Sequence, residues 1–304
     1  NTGFASKINY KSENNLFKSK MFTEIDINYI ENNFQSVERI FNTEFNRDWD
    51  LNKNILGNYN QLFSKAIVGL NNKKLGSLDY SFENLNYKNY FNGVRNTVGI
   101  ISNQKRNLRF NLNSSIMKSD QNDYSSDFIN SNNIIEFHHK SGWAEITYNY
   151  ERKKSNGAQN LYNPDFGQEG YELKKGFGKK DKSFIEIGYL KRSNDSIYNG
   201  SLNTVNSYDS YFINSQIIND KKTKFNLYIN QNNLRLINEN RNEDFLNTKL
   251  IYNQKIFKTF VDSNLFFETN SGNLPQQEFT FLEVEPGLGN YKWIDINNNG
   301  IQEL

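Results

Sequence analysis

The sequence predicts an all-β fold, an antiparallel up-and-down transmembrane β-barrel or a large portion of one, on three observations. First, aromatics reach 15%, with 24 Phe and 18 Tyr, and 54 residues are Asn, while hydrophobic residues make up only 36%. Disordered chains are poor in aromatics and helical ones rich in Ala, Leu and Glu, so this is the composition of ordered strands. Second, a mean hydropathy of -0.81 hides short runs in which apolar and polar residues alternate strictly. Third, no run of about 18 apolar residues occurs, so strands are the only elements with which this chain can cross a bilayer.

In chain order, the alternation starts weakly. In KMFTEIDINYIE (20–31), Ile25, Ile27 and Tyr29 oppose Glu24, Asp26 and Asn28. QLFSKAIVGL, GSLDYSFENL, NTVGIIS, KRNLRFNLNSSIM and NNIIEFHH carry similar patterns up to residue 139. GWAEITYNYERK is the clearest: Ala144, Ile146, Tyr148 and Tyr150 share one face, and Glu145, Thr147 and Asn149 the other. YELKKGFG, KSFIEIGYL and SYDSYFINSQII follow. Phe225, Leu227 and Ile229 then alternate with Asn226, Tyr228 and Asn230, Leu246, Leu250 and Tyr252 with Asn247, Lys249 and Asn253, and Val261, Leu265 and Phe267 with Asp262, Asn264 and Glu268. This gives about a dozen to fourteen strands of about 9 to 13 residues, where ordinary globular strands average about 5 to 6 and membrane-barrel strands need about 9 to 11.

The connections alternate in length. SNQK, HKSG, GKKDK and NDKK read as short turns, and KSDQNDYSSDFINSN, KKSNGAQNLYNPDFGQEG and KRSNDSIYNGSLNTVN as longer loops, the stringing of a barrel. The three prolines, 164, 275 and 286, fall in loops or at strand ends, as a continuous ladder requires. No linker or composition break divides residues 1–304. Alternation alone also fits a soluble β-sandwich, a solenoid or an adhesin-like domain.

Charge excludes some functions. With 36 Lys+Arg against 34 Asp+Glu the chain has no field that would draw nucleic acid. No cysteine is present, so disulfides and thiolate metal sites are out of the question. No basic and apolar leader opens the chain, which suits a mature chain, a fragment or a protein never exported. The only histidines, His138 and His139, are adjacent, so a strand points them to opposite faces and the pair cannot share one metal or substrate. No GxSxG or phosphate-loop context surrounds any nucleophile, and catalysis is not expected.

Two stretches break the strand rhythm. ENNFQSVERIFNTEFNRDWDL (31–51) mixes charges with aromatics. It reads either as a hairpin loop whose Arg residues pair with neighbouring carboxylates or as a partner or plug contact centred on Arg47 and Trp49. The closing WIDINNNGIQEL sets Asp295, Asn297, Asn299, Ile301 and Glu303 at positions 1, 3, 5, 7 and 9 of an oxygen-ligand calcium loop, with Gly300 at position 6. A twelfth-position acid would fall at residue 306. The alternative is an Asx-rich turn that satisfies its own backbone.

The segment GLGNYKWIDINNNGIQE resembles a GNYxWIDYNxNGIQE-type stretch of large outer-membrane β-barrel proteins of the Bacteroidota, through Gly289, Asn290, Tyr291, Trp293, Ile294, Asp295, Asn297, Gly300, Gln302 and Glu303. FNTEFNRDWDL resembles a second stretch of the same proteins. The resemblance implies one portion (1–304) of a larger surface barrel, with a calcium-loop-like segment at 286–304. The reading that follows is a non-enzymatic component of the bacterial outer membrane, in contact with its lipid and with other envelope proteins, in transport, translocation or envelope-complex assembly. The alternative is a secreted or surface-displayed β-sheet adhesin.

Overall fold

The computed structural model describes residues 3–34, 45–51, 59–103, 105–121, 124–157, 164–198, 201–220, 222–256 and 261–271. The chain divides into two compact units, Asn1–Gly272 and Asn273–Leu304. The calcium-loop-like residues Asp295, Asn297, Asn299, Ile301 and Glu303 lie outside the described residues.

The first unit is all-β. Its strands are β1 (Ala5–Leu16), β2 (Ser19–Ile30), β3 (Gln61–Asn72), β4 (Gly76–Tyr87), β5 (Phe91–Ser102), β6 (Leu108–Gln121), β7 (Tyr124–His139), β8 (Gly142–Gly157), β9 (Phe166–Gly178), β10 (Phe184–Tyr198), β11 (Ser201–Asn219), β12 (Thr223–Leu236), β13 (Arg241–Ile256) and β14 (Val261–Ser271). A four-residue helical turn, α1 (Phe45–Asp48), lies between β2 and β3. All fourteen strands form one antiparallel up-and-down sheet in sequence order. Among the described residues β1 and β14 are each paired on one side only, so the sheet is a barrel wall or a large arc of one.

The expected short turns fall where the sequence puts them. Of the expected long loops only the one between β8 and β9 keeps some length, residues 158–165, whereas β6 and β7 run to Gln121 and from Tyr124, and β10 and β11 run to Tyr198 and from Ser201. These stretches are polar on both faces, so they carry no period-two signal, yet the backbone ladder needs no side-chain contrast to continue. The strands are therefore 11 to 19 residues long, more than the membrane minimum.

The register shows what alternation means here. Directly opposed residues share a face. On one face Leu78 sits opposite Leu70 and Ile100, Ile146 opposite Ile135 and Leu173, Ile213 opposite Ile187 and Ile229, and Leu250 opposite Leu227 and Phe267. Most of these side chains are open to the surroundings, Ile146 at 52% and Phe267 at 52%, and Ile100, Leu227, Ile229 and Leu250 are half-buried. The other face holds the buried polar residues Glu145, Thr147, Lys153, Glu186, Ser210 and Asn232. A single sheet hides one face only by curling over it, so the polar face is the inner one and the apolar face the outer one.

The outer apolar belt runs diagonally to the pairing lines. It is centred near Tyr10 and Ile25 on β1 and β2, near Ile135, Ile146 and Leu173 on β7 to β9, and near Leu250 and Phe267 on β13 and β14, although these residues lie on successive register rows. Strands tilted against a level belt give this drift. The strand ends away from the short turns turn polar on the outer face, where Lys118 faces Asp127 and Asp127 faces Lys154. Tyrosines mark the boundary. Tyr148 and Tyr171, 5.0 Å apart, both donate to Glu169, and Tyr189, 4.9 Å from Tyr211, donates to Asp209 at 2.6 Å. An amphipathic ring with its hydroxyl toward the polar side suits such an edge.

Candidate functional site

The inner face is the candidate site, and its most elaborated part is where residues 45–51 fold onto β3 to β8. Trp49 and Leu51 are 2% exposed and pack with Leu85, Tyr87, Phe91 and Met117. This is the main apolar core of the described residues, and it sits on the inner face at the end away from the short turns. Trp49 meets Phe63 edge-on at 6.1 Å and Phe45 at 6.4 Å. Gly93 lies beneath it, and a Cβ there would come within 2.9 Å of the indole and of Phe91. The glycine is thus what lets the indole approach the wall.

Electrostatics fix the segment in place. Asp50, 2% exposed, takes a salt bridge from Lys153 of β8 at 2.5 Å and a hydrogen bond from the Tyr124 hydroxyl of β7. Asp50 has positive φ, 54°, which places its carboxylate between these partners at the cost of a less favourable backbone conformation. Arg95 of β5 stacks on the Trp49 ring at 4.5 Å, donates to the Asp48 carbonyl, and pairs with Glu83, which also holds Lys65 at 2.9 Å. A buried ion pair contributes little net stability by itself, but loss of one partner strands the other charge. The arrangement therefore specifies where the segment sits.

A second polar network lines the inner face of β7 to β10 next to the short turns. Lys174 bridges Glu145 at 2.7 Å and Glu172 at 2.9 Å, and Lys180 lies 3.8 Å from both Glu136 and Glu145. The indole of Trp143 donates to Glu186 and carries Lys180 above its ring at 4.7 Å. Gly176 makes room, since a Cβ there would come within 2.2 Å of the indole. Charges of both signs alternate along this wall, so it offers polar contacts without a strong field of one sign.

Of the residues singled out from sequence, Trp49 is buried against the chain's own wall, packed by Phe63 and Arg95. Arg47 belongs to α1, and its side chain lies outside the described set. His138 pairs with Glu136 on the inner face at 3.1 Å while His139 stacks on Phe137 on the other, so the two point apart as strand geometry demands. Sequence reasoning missed Asp50, Arg95, Tyr124 and Lys153. For Arg95, Tyr124 and Lys153 the only local signal is an inward-facing parity in the period-two pattern, shared with dozens of polar residues; Asp50 lies on no strand and has none, and their partners are 47 to 103 residues away. Among the described residues no group of three or more His, Cys, Asp or Glu is placed to hold a metal ion.

Comparison with protein-family models, with curated proteins and with solved structures gives no match to this chain.

Proposed function

We propose that the chain is a non-enzymatic wall of an outer-membrane β-barrel whose polar inner face borders a passage or docking lumen, narrowed by residues 45–51. Its role is then transport, translocation or envelope-complex assembly, set by lumen width and inner-wall polarity. The observation that carries this reading is the inverted sheet: large apolar side chains stand exposed on the outer face while carboxylates, lysines and amides fill the inner one. A water-soluble sheet places its apolar face against a core, and an exposed apolar surface of this extent needs a covering phase. Hydrocarbon supplies it, and the tyrosine boundary and the polar strand extensions beyond it fit a belt of about 25 Å.

The chain has no cysteine, so single-cysteine labelling is clean. The full chain, folded into phospholipid vesicles, is labelled with an environment-sensitive fluorophore at Ile146→Cys, Leu173→Cys and Ile213→Cys on the outer face, and at Asn111→Cys and Asn149→Cys on the inner one. Outer labels are expected to be quenched by acyl-chain nitroxides, and inner labels by aqueous iodide. Iodide quenching at all five positions sinks the proposal and leaves the adhesin reading.

A further inference from the structure

The two ends of the sheet differ in charge, and the short-turn end has a pattern the membrane-wall reading does not itself require. At this end each of the six described turns carries a lysine: Lys18 between β1 and β2, Lys73 and Lys74 between β3 and β4, Lys105 between β5 and β6, Lys140 between β7 and β8, Lys179, Lys180 and Lys182 between β9 and β10, and Lys222 between β11 and β12. All are exposed; Lys180 reaches inward to Glu136 and Glu145 at 3.8 Å, and Lys222 lies beside Asp220. Of the two acids at these turns, Asp220 is occupied by the backbone N–H groups of Lys222 and Thr223. The described connections at the opposite end carry five acids, Glu31, Asp48, Asp50, Asp165 and Glu239, against two bases, Arg47 and Lys88.

A second observation is independent of charge. Beside these lysines stand exposed large apolar side chains: Phe17, fully exposed and with positive φ, next to Lys18, Leu75 next to Lys74, Phe177 close to Lys179, and Ile218 close to Lys222. On several strands the apolar belt runs up to these turns, through Leu70 and Leu78, Leu108 and Phe137, and Ile185 and Phe177, although Lys175 interrupts it on β9 and Ser12 and Asn14 on β1. A side chain for the acyl boundary beside a flexible ammonium is the combination that binds a phosphate-bearing interface.

We propose that the short-turn rim is a phospholipid-headgroup surface with preference for anionic lipid, its lysines meeting lipid phosphates while the adjacent apolar residues seat in the acyl boundary. The proposal rests on the membrane-wall reading and adds the lipid class and the end of the wall that selects it. An ammonium held near an anionic surface strengthens association about fivefold, and salt screens the effect.

The test uses the full chain in vesicles of phosphatidylcholine doped with headgroup-nitroxide phosphatidylglycerol or, separately, headgroup-nitroxide phosphatidylcholine. A fluorophore is placed at Ser141→Cys, in the turn that receives the Gly178 amide and so lies beside Lys179, and in a second sample at Ser125→Cys at the far end. Phosphatidylglycerol is expected to be enriched about fivefold over phosphatidylcholine at Ser141, with no preference at Ser125. Lys140→Gln, Lys179→Gln and Lys182→Gln together, or molar salt, should bring Ser141 to parity. Parity in the unmodified chain overturns the proposal, as does a preference that survives the triple substitution. A label at Ile146 that lipid nitroxides fail to quench instead overturns the membrane wall itself, so the two failures are distinguishable.

Discussion

The walls built by β4 to β8 and by β11 to β14 share one alternation and one antiparallel pairing, yet they differ in what covers their inner faces. On the first, residues 45–51 bury Leu85, Tyr87, Phe91 and Met117. On the second, every residue of β14 is exposed, including the inward Phe266 at 60%. Alternation thus decides which way a side chain points, whereas burial depends on whether another part of the chain arrives to cover it. Stability in the first wall comes from tertiary contacts. In the second it comes from the backbone ladder, from turns and from inner-face hydrogen bonds of β11 with β12, such as those that Tyr208 donates to Asn232 and Ser210 to Asn230.

The strongest way to break this comparison is Asp50→Ala. It leaves the Lys153 ammonium buried without its partner and removes the acceptor of the Tyr124 hydroxyl. The expected cost is about 3–5 kcal/mol in local stability, read as faster amide exchange and proteolysis at 45–51 with β11 to β14 unchanged. Lys153→Met in the same background should recover much of the loss, because it removes the stranded charge. Exchange that rises equally in both walls would show that the segment is not a local clamp.

The outer face offers the opposite test, because there the two walls are alike. Ile146→Arg and Ile213→Arg put a guanidinium on the same belt in different walls, and in vesicles each is expected to cost about 2–4 kcal/mol of folding stability if near the bilayer midplane. Asn149→Arg, on the inner face, should cost far less. A large difference between Ile146→Arg and Ile213→Arg in urea titrations would mean that the belt is not level across the sheet.

How much of this was legible in the sequence follows from the range of the forces involved. The facing of Ala144, Ile146 and Tyr148 against Glu145 and Thr147 could be read locally, since strand geometry imposes it within two residues. So could the short turns, whose Asn, Asp, Gly and Lys clusters are local chemistry. The extensions of β6, β8 and β10 read as loops because their two faces are similarly polar and hydrophobic contrast is the only local signal. The Asp50–Lys153 pair was not legible at all: neither residue differs locally from other acids and lysines, and the pairing exists only once the turn after α1 has folded onto the wall. Trp49 stands out by residue type, but its burial beneath Arg95 depends on a residue 46 positions away and leaves no local trace in the sequence.

The uncovered wall permits smaller tests. Lys249→Ala removes one exposed cation–π contact with Phe266, at 5.4 Å, and is expected to cost about 0.5–1 kcal/mol by thermal or urea unfolding. A loss as large as that of Asp50→Ala would mean that this wall too is clamped by side chains. The smallest effect concerns Asp220 in the exposed β11–β12 turn. Hydrogen bonds from the backbone N–H groups of Thr223 and Lys222 hold its carboxyl below the usual carboxylate range. Because the folded value lies below the unfolded one, the stabilisation is fully present above the unfolded value of about 3.9 and is lost as pH falls through the folded one. Amide exchange at Lys222 and Thr223, measured relative to a model peptide, should therefore accelerate only in that acidic window, and Asp220→Asn should flatten the dependence while leaving 45–51 untouched. An acid transition at this turn that persists in Asp220→Asn would show that the hairpin is held by something other than its own turn, and the contrast between a wall stabilised by burial and a wall stabilised by its ladder would fail at its weakest point.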